Sequence, residues 1–184
     1  PPARVEKPLL EQLYQEGPLL GSGSCGSVYS GTWLANGAPL RDRAGSEGSG
    51  RRAEPAAGLG SQGALVPLEL ALLWKVSRPG FRSVVGLLDW FEVPEGFALL
   101  MERPQRCQDL WYSLHERLFL TEPVARGLFR QVLEAVQHCS SRGALHCHIK
   151  AKNVLVNLAM GEAKLIDFGC GTILQDTFYT WMSG

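Results

Sequence analysis

The sequence predicts an α+β protein in which a mainly antiparallel sheet with one helix precedes a mainly helical part. Residues 13–21 and 27–33 are rich in β-branched, aromatic and apolar residues and flank a glycine-rich turn, a pattern typical of a hairpin. After residue 104 the apolar positions instead recur at helical spacing. The chain has 184 residues, 45% of them hydrophobic, which suffices for one substantial core or for two small lobes sharing an interface.

The first part continues with a loop, a helix and two further strands. Residues 44–63 are rich in Gly, Ala, Ser and Arg without a periodic apolar pattern, which predicts a mobile loop. Residues 65–76 carry apolar side chains at helical spacing, and this places Glu69 beside the apolar stripe. Residues 84–92 and 97–103 have strand character and are joined by a turn containing proline and glycine.

The second part is predicted to contain a long helix and two short strands. Thr121 is a suitable N-cap for this helix, and an Arg-Gly pair ends it. Its apolar face carries Val124, Leu128, Val132, Ala135 and Cys139. Short strands are expected at residues 153–157 and 163–167. We therefore expect two lobes, residues 1–103 and residues 104–184.

Bulk composition favours a soluble intracellular protein. Eighteen basic and eighteen acidic residues cancel, so the net charge favours neither nucleic acid nor an acidic membrane surface as a partner. Five widely spaced cysteines without a secretory leader suit a reducing compartment, the cytoplasm with the nucleus left open. No apolar run approaches the ~20 residues that a membrane-spanning helix needs. Because the chain begins at Pro1 rather than methionine, a fragment is expected.

Three short motifs follow one another in an informative order. Residues 21–28 read GSGSCGSV, residues 146–153 read HCHIKAKN, and residues 167–169 read DFG. This order is a protein-kinase signature, because each motif serves a separate part of phosphoryl transfer. A dinucleotide-binding glycine motif would instead open a helix, whereas poor helix formers follow this one. In the catalytic loop His148 stands at the usual aspartate position and Cys147 at the usual arginine position.

Further segments closely resemble the Pim family of serine/threonine kinases. They are residues 19–23, 26–31, 87–92, 102–104, 131–136 and 164–169. The resemblance extends over residues 13–180, with residues 44–63 outside it. It implies a bilobal kinase fold that binds ATP and Mg²⁺ in the cleft between the lobes and transfers a phosphoryl group to protein serine or threonine. It also implies a truncated C-lobe of low stability, because the chain ends at Gly184, before the later helices of that family.

The resemblance also implies roles for individual residues. Asn153 and Asp167 match the metal ligands, and Lys150 matches the lysine near the transferred phosphate. Met101 matches the gatekeeper, and Pro104 removes a backbone N–H from the hinge. The implied nucleotide-binding positions are Leu20, Gly21, Gly23, Gly26, Val28, Arg43, Glu69, Met101, Glu102 and Asp109. We expect binding of ATP and Mg²⁺ to be weak.

The strand lysine of the kinase signature is missing. No lysine occurs between Lys7 and Lys75, and by spacing Arg43 occupies the lysine's place. Arginine can touch phosphate, but it is not expected to reproduce the pairing of a compact ammonium with Glu69, which leaves the predicted helix loosely tethered. Strand alternation puts Arg41 on the same face as Arg43, where the resemblance implies a small alanine.

The catalytic loop contains no aspartate, and two readings of His148 remain open. A neutral imidazole can accept a hydroxyl proton near pH 7, but it lacks the negative charge of a carboxylate. Alternatively, His148 fills space in a degenerate loop. A zinc site made by His146, Cys147 and His148 is disfavoured, because the usual paired ligand spacings are absent; His146 is expected to be a packed loop histidine.

Substrate selection is altered as well. The Pim family favours basic peptides through acidic residues between the catalytic-loop lysine and asparagine, and here those positions are Ala151 and Lys152. Asp109 is either an acidic contact to ribose or substrate, or a helix N-terminal carboxylate. Two functions remain: a kinase domain that binds ATP with impaired catalysis, or a non-catalytic pseudokinase interaction module or non-functional remnant. Neither substrate nor partner can be named.

Overall fold

The structure is a computed structural model that describes residues 7–23, 26–46, 66–93 and 96–179. The chain divides into two compact units. The strand unit comprises Pro1–Trp74 and Gly86–Gln105, and the helical unit comprises Lys75–Val85 and Arg106–Gly184. The predicted α+β class, an antiparallel sheet with a helix followed by a mainly helical part, is confirmed.

The strand unit is built on a five-stranded antiparallel sheet in the order β1-β2-β3-β5-β4. Its strands are β1 (Tyr14–Gly23), β2 (Gly26–Trp33), β3 (Pro39–Ser46), β4 (Leu87–Val93) and β5 (Gly96–Glu102). The predicted hairpin is therefore present, with Gly23 opposite Gly26 at its end. The loop predicted for residues 44–63 begins later than expected, because Ala44 to Ser46 still pair with β5. Residues 47–63 lie outside the described residues.

Two helices accompany the sheet. α2 (Leu68–Val76) was predicted from its spacing, whereas the short α1 (Lys7–Leu13) was not. Leu10 of α1 is buried in an apolar cluster on one face of the sheet. The other buried members of that cluster are Tyr14, Leu40, Phe91, Ala98 and Leu100. This packing explains why seven residues form a helix that their sequence alone does not specify.

Up to residue 179, the last one described, the helical unit contains helices α3 and α4, a 3₁₀ turn and short strands. Its elements are β6 (Gln108–Asp109), α3 (Leu110–Arg117), α4 (Glu122–Ser141), β7 (Ala144–Leu145), the 3₁₀ turn Ala151–Asn153, β8 (Val154–Asn157), β9 (Glu162–Leu165) and β10 (Thr172–Ile173). Helix α4 buries Leu128, Ala135 and Cys139, three of the predicted apolar positions. Thr121 is its N-cap but makes no side-chain capping hydrogen bond. Among the described residues, no helix is long and apolar enough to cross a membrane.

A side chain of α4 holds in place the strands that follow the catalytic-loop region. Gln131 donates from Nε2 to the Gly161 carbonyl at 2.7 Å and accepts at Oε1 from the Ala163 amide at 2.9 Å. It therefore satisfies two backbone groups at the start of β9. β9 in turn pairs with β8, which directly follows the 3₁₀ turn.

Residues 75–85 belong to the helical unit, although the sequence-based division at residue 103 placed them in the first lobe. Backbone bonds with β9 explain this, since the Val85 amide donates to the Leu165 carbonyl at 2.9 Å. From α4, His138 Nε2 lies 2.8 Å from the Val76 carbonyl, and Arg142 donates to the Arg78 carbonyl at 2.6 Å. His138 therefore connects α4 to the C-terminal end of α2.

Candidate functional site

His146 is the buried structural centre of the catalytic loop. Its side chain is 4% exposed, its Nε2 donates to the Ile166 carbonyl at 2.9 Å, and its Nδ1 accepts from the His148 amide at 3.2 Å. These two bonds fix one neutral tautomer, and burial lowers the pKa of His146, which keeps the ring uncharged. The ring meets Phe168 edge-on at 4.8 Å between centroids. His146 thus links the catalytic loop to the Asp-Phe-Gly segment.

His148, at the position where a kinase signature has aspartate, is engaged by Lys150. Lys150 Nζ lies 2.5 Å from His148 Nε2. An ammonium group has donors and no acceptor, so Nε2 must be the accepting nitrogen of the neutral ring. A neutral imidazole has a single accepting nitrogen, and here the neighbouring lysine occupies it.

Asn153 and Asp167 are joined through the backbone. Asn153 is 4% exposed and donates from Nδ2 to the His148 carbonyl at 2.9 Å, while its own carbonyl accepts from the Ile166 amide at 2.9 Å. Because the amide nitrogen is committed to the loop, the amide oxygen is the atom left to bind a metal. Asp167 has φ 67° and accepts at Oδ1 from the Gly169 amide at 3.3 Å. Positive φ is uncommon for a non-glycine residue, and the hydrogen-bonded turn holds it there.

The donor types at these two positions fit Mg²⁺. Carboxylate and amide oxygens are hard ligands, and Mg²⁺ in phosphoryl-transfer sites is held by one or two such groups together with substrate phosphates. The described residues contain no cluster of three or more His, Cys, Asp or Glu that could hold a metal alone. A cage made entirely of protein ligands is not what this chemistry requires.

In the strand unit, Arg43 forms a buried ion pair with Glu69. Arg43 Nη1 lies 2.6 Å from Glu69 Oε1, and the two side chains are 8% and 13% exposed. The expectation that an arginine here would not reproduce the pairing with Glu69 is wrong. The guanidinium is long enough to span from the central strand to the helix, and its planar donors suit a carboxylate.

Arg41 lies on the same face of the sheet as Arg43. Arg41 is opposite Met101 of β5 and Ser30 of β2, while Arg43 is opposite Val28. Residues directly opposite in antiparallel strands project to the same face. The two arginines therefore share a face with Val28 and the largely buried Met101, the positions implied to contact adenine.

The glycine-rich hairpin leaves backbone accessible at its start. Leu20 is 42% exposed, and a Cβ added at Gly21 would meet nothing within 4 Å. Gly26 has φ 124°, a conformation that favours glycine. Residues 24 and 25, at the tip of the loop, lie outside the described residues.

Two acidic positions have clear structural partners. Glu102 Oε1 accepts from the Gly86 amide at 2.7 Å, and the Glu102 amide donates to the Gly86 carbonyl at 3.0 Å. Asp109 is the N-cap of α3 and accepts at Oδ1 from the Tyr112 amide at 2.8 Å. The helix-terminal role considered for Asp109 is therefore present in the structure.

Sequence reasoning missed a buried acidic pair in the strand unit. Tyr14 donates its hydroxyl hydrogen to Asp42 Oδ2, and the two residues are 5% and 2% exposed. Burial is the main cause that raises the pKa of Asp42 and of Tyr14. A signal was available, because Asp42 lies two residues after Leu40 and so points into the same apolar cluster.

Comparison with known proteins agrees with this arrangement. The model of the protein kinase domain family matches residues 14–183. Serine/threonine-protein kinase pim-2 of Danio rerio is 40% identical over 188 residues, which cover 99% of this chain and 60% of the relative. Serine/threonine-protein kinase prk-2 of Caenorhabditis elegans is 39% identical over 122 residues, 66% of this chain and 27% of the relative. A PAS domain-containing serine/threonine-protein kinase of Mus musculus is 36% identical over 118 residues, 63% of this chain and 8% of the relative.

The chain thus spans about three fifths of the length of the pim-2 relative and less of the other two. The family match nevertheless covers nearly all of this sequence, including the glycine-rich hairpin, the Arg43–Glu69 pair and the catalytic loop. The chain belongs to the protein kinase domain family and is a Pim-like member of it.

Proposed function

We propose that this chain is a Pim-like kinase domain that binds ATP with Mg²⁺ and transfers phosphoryl groups to protein serine or threonine very slowly or not at all. The observation that carries the proposal is the contact between Lys150 Nζ and His148 Nε2 at 2.5 Å. It places a cation, rather than a carboxylate, around the position of the catalytic base. A well-placed general base contributes about 10²–10⁴-fold to rate, and this is the deficit expected from His148 alone.

Several features support retained nucleotide binding. The strand unit keeps an accessible glycine-rich hairpin and a cation, Arg43, positioned by Glu69. The helical unit keeps Asn153 and Asp167, whose oxygens would hold Mg²⁺. Bound Mg²⁺ neutralises negative charge on the phosphate oxygens. These residues bind and orient, and none of them replaces the missing base.

A thermal-shift titration with ATP, with and without Mg²⁺, tests the binding part. ATP at about 100 times its Kd should add about 2.7 kcal/mol to the free energy of unfolding. For a chain of 184 residues, that raises the Tm by about 5–10 °C. Asp167→Ala should remove the Mg²⁺-dependent share, whereas the same substitution at the exposed Asp176 should not.

A phosphoryl-transfer assay tests the catalytic part. We expect His148→Asp to raise the rate, because a carboxylate can accept the hydroxyl proton and pair with Lys150. Adding Arg43→Lys should not restore the rate of an intact relative while Arg41 remains. Activity of the unmodified chain within about tenfold of such a relative, lost in Asp167→Ala, would show that His148 supports catalysis after all.

A second candidate function is a non-catalytic interaction module, and Arg41 favours it. Arg41 adds a long charged side chain to the face that carries Val28 and Met101. If that side chain fills the space that adenine needs, ATP will produce no thermal shift at any concentration, and the shift will appear only in Arg41→Ala. That outcome selects the interaction module.

A further inference from the structure

An exposed tryptophan with an ammonium group over its ring lies next to the catalytic loop. Trp111 of α3 is 42% exposed. Lys152 Nζ lies 4.6 Å from the centroid of the indole ring, and the His115 ring stacks on it with centroids 4.3 Å apart. An exposed aromatic ring that orders a neighbouring ammonium forms a surface that is apolar and cationic at once.

The two lysines of this surface are held rather than free. Lys152 lies in the 3₁₀ turn Ala151–Asn153, which is closed by the Asn153 amide donating to the Lys150 carbonyl at 2.9 Å. The buried Asn153 side chain fixes the turn to the loop, and Lys150 itself contacts His148. Ordering a long lysine side chain costs conformational entropy. Here the ring of Trp111 and the ring of His148 have already imposed much of that order.

Carboxylates near this surface are engaged with the protein. Asp109 accepts from the Tyr112 amide as the N-cap of α3, and Glu116 accepts from the side-chain amide of Gln108 at 3.1 Å. No contact is described between either carboxylate and Lys152. The ammonium of Lys152 is therefore available, together with Lys150, to an external anion.

We propose that the Trp111–Lys152 surface, comprising Trp111, His115, Lys150 and Lys152, binds an acidic protein segment that carries an apolar side chain. Carboxylates of the segment would pair with the two ammonium groups, and its apolar side chain would lie on the exposed part of the indole. The same positive charge repels basic segments. Nucleotide is not needed for this contact, so the inference does not depend on the proposed function.

Charge complementarity favours a protein segment over nucleic acid or membrane. Nucleic-acid affinity comes from many phosphate contacts, and binding to anionic lipid takes clusters of roughly four to eight basic residues. This surface offers two lysines, and the chain has no net charge. A short segment with a few carboxylates matches it in number and size.

Fluorescence anisotropy with a labelled Glu-rich peptide containing one leucine tests the proposal on the 184-residue chain without nucleotide. We expect saturable binding that weakens with salt, and no binding of the matched peptide in which lysine replaces each glutamate. Lys152→Glu and Trp111→Ala should each weaken binding at least about tenfold. Lys152→Gln should give an intermediate loss. Arg126→Glu, on the exposed face of α4, should leave the affinity unchanged.

Three results would overturn the inference: equal affinity for the two peptides, equal losses in the Arg126 control, or tighter binding of single-stranded RNA or phosphatidylserine vesicles than of the acidic peptide. The ATP thermal shift of Lys152→Glu separates this proposal from the previous one. An unchanged shift with lost peptide binding shows that the two sites are distinct. A folded variant, with wild-type circular dichroism and Tm, is required for each comparison.

Discussion

Removing one partner of the Arg43–Glu69 pair should destabilise the protein far more than removing an exposed ion pair. The two side chains are 8% and 13% exposed, and 2.6 Å separates Nη1 from Oε1. Glu69→Gln leaves a largely buried guanidinium without its carboxylate. Losing one partner of a buried pair costs about 3–5 kcal/mol, and we expect about 3 because both groups keep some solvent contact. For 184 residues this lowers the Tm by about 6–12 °C.

A double-mutant cycle separates the pair from the cost of an orphaned charge. The cycle consists of the unmodified chain, Arg43→Met, Glu69→Met and the double variant. The double variant removes both buried charges, and such replacements are often neutral or stabilising. We therefore expect the double variant to recover most of the stability that either single variant loses. Urea unfolding followed by circular dichroism measures all four free energies of unfolding.

The exposed pair on α4 is the matched control. The side chains of Glu122 and Arg126, at positions i and i+4 of the helix, are each 79% exposed, and 2.5 Å separates Arg126 Nη2 from Glu122 Oε1. Glu122→Gln should cost about 0.3–0.5 kcal/mol, as expected for exposed helix pairs. A free energy of unfolding for Glu69→Gln within about 0.5 kcal/mol of that of the unmodified chain would contradict this expectation. So would a double variant whose loss of stability equals the sum of both single losses.

Further substitutions test other parts of the structure. Burial raises the pKa of Asp42, so the native state binds more protons than the unfolded state. The free energy of unfolding should therefore fall as pH rises from the unfolded pKa of about 3.9. Asp42→Asn should abolish that fall. Parallel profiles of stability against pH for Asp42→Asn and the unmodified chain would contradict this. Tyr14→Phe should lower the free energy of unfolding by about 1–3 kcal/mol at neutral pH, measured with urea, since Asp42 loses its hydrogen-bond donor. Arg41→Ala should lower the Kd for ATP in calorimetry, and an unchanged Kd would show that Arg41 leaves the nucleotide face accessible. Leu128→Ala in α4 should cost about 2–5 kcal/mol, against under about 0.5 for the half-exposed Leu133→Ala.

The parts of the fold that local pattern specifies could be predicted. The glycine-rich hairpin and α4 are visible because alternation and helical spacing are properties of neighbouring residues. Helix α1 could not be predicted, because a helix of seven residues is only marginally stable until Leu10 packs on the sheet. The grouping of residues 75–85 with the helical unit likewise depends on bonds from Arg142 and β9, far away in sequence.

For the candidate site, motifs identified positions but not contacts. The sequence located His148 and Arg43 at the positions of the missing aspartate and lysine. That Lys150 occupies the accepting nitrogen of His148 depends on the turn geometry of the loop. That Arg43 reaches Glu69 depends on how a separate helix lies beside β3. Spacing specifies which residues can meet, whereas side-chain reach and packing decide which do.

The three charged residues of β3 have different effects on the fold and on the face implied to bind nucleotide. Arg43 differs from the family's lysine, yet its ion pair preserves the connection between β3 and α2. Asp42 places a carboxyl group beside an apolar cluster, where the Tyr14 hydroxyl donates a hydrogen bond to it. Arg41 changes the face implied to contact adenine while its strand pairing stays intact. Backbone pairing and one ion pair can therefore maintain this sheet when residues on the proposed nucleotide face differ from those of the family. We expect the proposed loss of catalysis to have local causes, on β3 and in the loop of residues 146–153, rather than to reflect a changed sheet.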